Sequence, residues 1–191
     1  TACSAGRYSD QQLRTSNDEC TSCVAGKYSS VVGVTAAADC TSCVAGKYSS
    51  TVAATLDTQC QLCSGGKWSS DTGRTSACSE DCAAGTFSNT VGLTAAADCT
   101  SCSAGKYSST VGLKHDTQCT LCSAGKWSSS TGRTSACSEE CPTGKFSGGE
   151  GLASAAQCAG ECSAGKYSSE TGLTSDAACL GRCDAGKFSA V

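Results

Sequence analysis

Apolar and polar positions alternate in short bursts along this chain, and each burst centres on a Gly-Lys-Tyr-Ser-Ser segment or a close variant of it. Alternation of that kind predicts a short strand, with the aromatic on one face and the Lys and first Ser on the other, one face core and the other solvent. A Gly ten residues after a preceding Cys (Gly33, Gly73, Gly92, Gly112, Gly132, Gly151 and Gly172) supplies a turn. Pairs such as Leu93-Thr94 and Val34-Thr35 are then placed to begin the return strand, giving a small irregular hairpin. The Ala-rich pieces Ala36 to Ala38 and Ala95 to Ala97 suffice for one helical turn and no independent helix. No apolar run approaches the roughly 18 residues of a membrane-spanning helix, so direct membrane insertion is not expected.

The bursts are one unit repeated. Cysteines alternate between long and short gaps, and taking Cys3, Cys23, Cys43, Cys63, Cys82, Cys102, Cys122, Cys141, Cys162 and Cys183 as starts gives ten repeats 19 to 21 residues apart. Their bounds are 3-22, 23-42, 43-62, 63-81, 82-101, 102-121, 122-140, 141-161, 162-182 and a truncated 183-191. Every aromatic residue falls five positions after a starting Cys: Tyr8, Tyr28, Tyr48, Trp68, Phe87, Tyr107, Trp127, Phe146, Tyr167 and Phe188. These rings are expected to form a structural spine. A basic residue precedes the ring in every repeat except one, where Thr86 stands, and Ser follows the ring each time. Residues 23-81 and 82-140 match at 44 of 59 positions, which reads as duplication of a three-repeat block. The third repeat of each block combines Trp with a loop two residues shorter, consistent with a compensation of shape.

Composition narrows the class. Nineteen cysteines in 191 residues, with 5% aromatic content, cannot build an ordinary core, so cross-links must substitute for it. That is the signature of a disulfide scaffold from an oxidising compartment, here extracellular or cell-surface. The net charge of -3 offers no general attraction to nucleic acid. With neither an initiator Met nor a signal peptide, the chain reads as a mature protein or an excerpt from one.

Parity allows more than one bridge pattern. If each repeat closes on itself, the pairs are Cys3 with Cys20, Cys23 with Cys40, Cys43 with Cys60, Cys63 with Cys78, Cys82 with Cys99, Cys102 with Cys119, Cys122 with Cys137, Cys141 with Cys158 and Cys162 with Cys179. Cys183 then awaits a partner beyond residue 191. Joining each C-x2-C or C-x3-C pair instead orphans Cys3, and staggered bridges between neighbours also satisfy the count. The first pattern is preferred, because closing a loop of that length removes about 3 kcal/mol of unfolded-chain entropy per bridge.

The fold class expected is small and disulfide-rich, mostly irregular with short β-hairpins, forming an elongated solenoid-like rod of ten tandem repeats, each touching its neighbours. Neither end carries an atypical capping repeat, so further repeats or end-to-end subunits are expected to continue the array.

The frame C-x-x-G-x-[Y/F]-S with a second Cys and a C-x2-C link, as in Cys102-Ser-Ala-Gly-Lys-Tyr-Ser108 through Cys119 and Cys122, resembles the ephrin-receptor-like cysteine-rich repeat. It resembles more loosely the tumour-necrosis-factor-receptor module. The resemblance covers the whole chain and implies a multi-repeat extracellular protein of the kind found in animals, algae and protists. Only Cys141-Pro142 carries the proline common after the first Cys of such repeats, and no ligand-binding or kinase domain accompanies the array, so receptor function does not carry over.

Reactive readings are weaker than structural ones. Cys20, Cys23, Cys40 and Cys43 have zinc-ribbon spacing, but nine close pairs cannot be grouped into four-thiolate sites without leaving one pair over, so neither metal nor cofactor is expected. His115 is the single histidine and reads as a surface substitution; no catalytic residue is assigned and the chain is not expected to be an enzyme. The Lys row could attract anionic polysaccharide, or could be paired between repeats by Asp39, Asp57, Asp98 and Asp116. Recurrent Ser-Ser pairs, Ser29-Ser30, Ser49-Ser50, Ser108-Ser109 and Ser168-Ser169, are candidate O-glycan acceptors. The expected role is a noncatalytic, O-glycosylated structural protein of an extracellular filament, appendage or wall. It would associate with itself or with neighbouring repeats, and carbohydrate is a further candidate partner. The alternative is a stalk or ligand-binding segment of a receptor or adhesion protein. A binding module should gather aromatic or Arg hot spots in one loop, whereas here every ring belongs to the frame.

Overall fold

The structure is a computed structural model that describes residues 1–11, 15–184 and 187. Phe188 of the expected aromatic spine lies outside the described residues. The chain divides into two bodies, one formed by Thr1–Cys82 with Ser88–Cys99 and the other by Ala83–Phe87 with Thr100–Val191.

Each body is built from the same small antiparallel hairpin. In the first body the strand pairs are Arg7–Tyr8 with Thr21–Ser22, Lys27–Tyr28 with Thr41–Ser42, Lys47–Tyr48 with Gln61–Leu62, and Lys67–Trp68 with Glu80–Asp81. In the second they are Thr86–Phe87 with Thr100–Ser101, Lys106–Tyr107 with Thr120–Leu121, Lys126–Trp127 with Glu139–Glu140, Lys145–Phe146 with Gly160–Glu161, and Lys166–Tyr167 with Gly181–Arg182. The expected hairpins are therefore present, but their return strand differs from the expectation. It is the short linker between two close cysteines, not Leu93-Thr94 or Val34-Thr35. The reason is local: in each repeat the next Cys N–H donates to the carbonyl of the frame Gly, as from Cys23 to Gly6 at 2.8 Å, and this holds the linker beside the aromatic strand.

From the second repeat to the ninth, the residue eleven positions after the starting Cys has another task. Val34 makes a parallel bridge to Tyr8 of the preceding repeat, and Leu93 does the same to Trp68. In the first two repeats this contact is reinforced when Gly33 donates to Cys3 O at 2.7 Å, Gly6 to Ser29 O at 2.8 Å and Ser9 to Val34 O at 3.1 Å. Repeats are thus sewn together by backbone hydrogen bonds that satisfy otherwise orphaned groups.

Contact also reaches the repeat after next, beyond the nearest-neighbour packing expected. Gly26 has φ +79, and a Cβ built there would lie 2.1 Å from the carbonyl oxygen of Gly73, two repeats on. The equivalent approach recurs from Gly6 to Ala53, Gly46 to Gly92, Gly85 to Gly132, Gly105 to Gly151 and Gly125 to Gly172, at 2.2 to 2.3 Å. In these six repeats the frame glycine is therefore required both by its left-handed backbone and by the turn that presses on it.

Seven repeats whose paired cysteines are 17 positions apart end in a 3-10 turn, at Asn17–Glu19, Ala37–Asp39, Asp57–Gln59, Ala96–Asp98, Asp116–Gln118, Ala155–Gln157 and Asp176–Ala178. The Ala-rich pieces thus form one turn each, shifted by one residue. The last side chain of most of these turns caps it: Asp39 Oδ2 accepts from Ala36 N at 3.1 Å, and Gln59 Oε1 accepts from Leu56 N at 3.0 Å.

The core is thinner and more polar than the alternation predicted. Most of the bridged cysteines, the aliphatic bridge residues (Val34, Ala54, Leu93, Leu113, Leu152, Leu173) and the Ser after the ring in the first seven repeats are buried. The rings of Tyr8, Tyr28, Tyr48, Trp68, Phe87, Tyr107, Trp127 and Phe146 are half-buried, and Tyr167 is 48% exposed. Ring and cystine meet across repeats: Phe87 packs on Cys102, Leu113 and Cys119, and Trp127 on Cys141, Leu152 and Cys158. In these two repeats the ring covers the next repeat's disulfide.

Candidate functional site

Among the described residues, the chemistry distributed through the frame is the disulfide ladder. The bridges join Cys3–Cys20, Cys23–Cys40, Cys43–Cys60, Cys63–Cys78, Cys82–Cys99, Cys102–Cys119, Cys122–Cys137, Cys141–Cys158 and Cys162–Cys179. Each closes its own repeat with Cα atoms 5.4 to 6.1 Å apart, within the range a bridge requires. Cys183 is a free, half-buried thiol. Cys20, Cys23, Cys40 and Cys43 belong to three different bridges and offer no set of zinc-binding thiolates. The same holds where Asp116 lies close to Cys102 and Cys119, because those two sulfurs are oxidised to one another.

Charged groups are arranged repeat by repeat, which corrects the pairing between repeats. Lys47 pairs with Asp57, Lys106 with Asp116 at 2.6 Å and Lys166 with Asp176 at 2.6 Å, each within one repeat. In these repeats the Asp begins the 3-10 turn, and the closing disulfide brings that turn back beside the Lys strand. Where no 3-10 turn follows, the partner is the acid opposite Lys in the hairpin register, as for Lys67 with Asp81 at 2.7 Å and Lys126 with Glu140 at 3.5 Å. Lys145 with Glu161 at 3.3 Å uses the same register. Asp39 and Asp98 sit at the end of their turns and spend their carboxylates on capping, Asp98 accepting from Ala95 N at 3.0 Å. Neither is a Lys partner. Their repeats carry Lys27, with no ion pair among the described residues, and Thr86 in place of Lys, whose hydroxyl donates to Ala83 O at 2.7 Å. Such half-exposed pairs contribute about 0.2 to 1 kcal/mol each, so they set local geometry more than stability.

The carboxylates respond accordingly. Asp176 is pulled down to about 2, first by the hydrogen bond from Lys166 and then by that from the Ser163 backbone N–H. For Asp116, desolvation pushes upward but is outweighed by hydrogen bonds from Lys106 and Ser103, and its pKa falls below the ordinary value. Glu140 is lowered chiefly by the hydroxyl of Thr171, which lies two repeats further along.

The two short repeats replace the 3-10 turn with an arginine that the sequence reading passed over. Arg74 takes the position that Val34 or Leu93 fills elsewhere, and its guanidinium donates to Ser69 Oγ at 3.2 Å, Glu80 Oε2 at 3.1 Å and Ala77 O at 3.1 Å. Arg133 repeats this set with Ser128, Glu139 and Ala136. Trp68 Nε1 donates to Asp81 O at 3.2 Å and Trp127 Nε1 to Glu140 O at 3.0 Å. The signal was available in the sequence: both repeats whose loop is two residues shorter carry Arg at a frame position that is aliphatic in most of the others.

The serine pairs divide into two kinds of hydroxyl. Ser29, Ser49 and Ser108 are buried, and their Oγ accepts the N–H two residues on, from Val31 at 3.3 Å, Thr51 at 3.3 Å and Thr110 at 3.0 Å. As acceptors for a glycan on the folded chain these three are excluded. Ser168 is half-buried and accepts from Glu170 N in the same way. Ser30, Ser50, Ser109 and Ser169 are exposed. His115 is exposed at the head of its 3-10 turn, where its backbone N–H donates to Gln118 Oε1 at 3.0 Å.

Comparison with protein-family models finds no match for this chain, and comparison with curated proteins finds none either. What the geometry establishes is a tandem cysteine-rich repeat, with disulfides suited to an oxidising environment.

Proposed function

We propose that this chain is a noncatalytic structural protein, a disulfide-laddered, O-glycosylated part of an extracellular filament, appendage or wall. One observation supports the reading above the rest: among the described residues, most of the groups that could do chemistry or bind a ligand are used by the frame itself. Cystines close the repeats, Phe87 and Trp127 cover the next repeat's cystine, the lysines are mostly paired within their own repeat, and frame carbonyls and N–H groups tie repeats to their neighbours. The family we propose is the ephrin-receptor-like cysteine-rich repeat, and the partner is another copy or a neighbouring stretch of such repeats. Catalysis has no part in this reading, and turnover abolished by His115→Ala in a broad substrate screen would overturn it.

Electron microscopy of the native, unreduced material tests the proposal. Continuous fibres whose axial period is commensurate with one repeat or with the 59-residue block are expected. Separate short particles attached to a membrane or to a globular head would reject it in favour of a receptor or adhesion stalk.

A further inference from the structure

The residue seven positions after the starting Cys is exposed in every described repeat, and in six of them it is serine: Ser30, Ser50, Ser70, Ser109, Ser129 and Ser169. None of these hydroxyls has a hydrogen-bond partner among the described residues. Each directly follows a serine whose hydroxyl is held by the N–H two residues on, as Ser69 is by Asp71 at 3.2 Å and Ser128 by Ser130 at 3.2 Å. The fold itself places no demand on the second hydroxyl, because Asp10, Asn89 and Gly148 occupy the same exposed place in the remaining repeats. Many other surface hydroxyls are engaged: Thr55 with Gln59, Thr94 with Asp98, and Thr86 with Ala83 O.

Beside this row lies apolar surface with nothing over it. Val31, Val32, Val52 and Val111 stand one or two residues after a row serine and are 52 to 63% exposed. A chain of this composition has little apolar surface to spare, and leaving a recurring valine in water forgoes burial worth about 25 cal/mol per Å². A pyranose has one face of C–H groups and hydroxyls around its rim. Attached to the row serine, it could lay that face on the valine and keep its hydroxyls in water.

We propose that Ser30, Ser50, Ser70, Ser109, Ser129 and Ser169 are the O-glycosylation sites of this protein, and that the sugars on Ser30, Ser50 and Ser109 shield the adjoining valines. This rests on the extracellular reading above and assigns its carbohydrate to particular atoms. The step is a glycosyl transfer from a nucleoside-diphosphate sugar. The Ser Oγ–C1 bond forms as the C1–O bond to phosphate breaks, the hydroxyl proton passes to the transferase base, and nucleoside diphosphate leaves.

The test is site-resolved mass spectrometry of the native protein, fragmented by electron transfer so that labile sugars stay attached. Sugar-sized increments are expected on the six row serines, with Ser29, Ser49, Ser69, Ser108 and Ser128 unmodified. Removing the sugars enzymatically should increase binding of an apolar dye, with all nine disulfides retained. Sugar confined to the linker residues Thr21, Thr41, Thr100 and Thr120, phosphate-sized increments at the row, or a bare polypeptide mass would each overturn the assignment. Unmodified serines in material that still forms fibres would reject the sites and leave the structural role standing. Glycosylated serines on isolated membrane-attached stalks would do the reverse.

Discussion

Alanine at the frame glycine gives a controlled measurement of how much the contact between a repeat and the one after next contributes. Gly26→Ala puts a Cβ 2.1 Å from Gly73 O, whereas Gly144, with a similar φ of +75, has nothing among the described residues within 4 Å of the same built atom. Both substitutions carry the left-handed backbone cost of an L-residue, about 1 to 2 kcal/mol. Gly26→Ala must in addition push the Gly73 turn away, straining the bond from Gly26 N to Ser49 O at 2.8 Å and that from Gly73 N to Cys43 O at 2.7 Å. At about 1 kcal/mol net for each bond, the extra cost is roughly 2 kcal/mol, or about 30-fold in local opening. Hydrogen exchange resolves the two sites, because the Cys43 amide donates to Gly26 O at 2.8 Å and the Cys162 amide to Gly144 O at 3.1 Å. Protection at Cys43 should fall about 30-fold further in Gly26→Ala than protection at Cys162 falls in Gly144→Ala. The Gly73 amide, far along the chain, should lose protection in the first variant as well. Equal losses at the two sites, or an unaffected Gly73, would refute the long-reach packing.

Four other outcomes follow from the geometry. Ala53 holds a left-handed φ of 55 where the duplicated block has Gly112, so Ala53→Gly should stabilise its repeat by about 1 kcal/mol, read as slower local exchange; no gain would count against that strain. Arg74→Leu restores the side chain common at that position but leaves Ala77 O without the guanidinium donor and Ser69 Oγ with the Asp71 N–H alone. A loss of about 1 to 3 kcal/mol is expected, and an unchanged melting temperature would contradict it. The carboxylate of Asp176, lowered from 3.8 to about 2, stabilises the fold fully above about pH 4, and that contribution is lost as the pH falls through about 2. A carboxyl-carbon titration with a midpoint near 4 would exclude the pairing with Lys166. Alkylation of the unreduced 191-residue chain should label one cysteine, Cys183, and any second label would break the ladder described.

The repeat, its hairpins and its dependence on disulfides were legible in the sequence because cysteine spacing and a ring every nineteen to twenty-one residues are one-dimensional signals. A cystine can form only where the chain returns on itself, so the spacing implies a closed loop. Three further matters needed the tertiary structure. Alternation marks Tyr28 and Ser29 as facing opposite ways, yet both are covered to some degree, because the following repeat adds a bridge that alternation within one strand cannot register. Asp39 and Asp57 read alike as acids near a cysteine, but their two-residue offset on a 3-10 turn makes the first a cap and the second a partner for Lys47. Gly26 reads as a turn residue, and its larger reason lies at Gly73, forty-seven positions along the chain. Local pattern determined what each repeat is; which atoms of separate repeats meet depends on how successive hairpins lie against one another, and that is a property of packing in three dimensions.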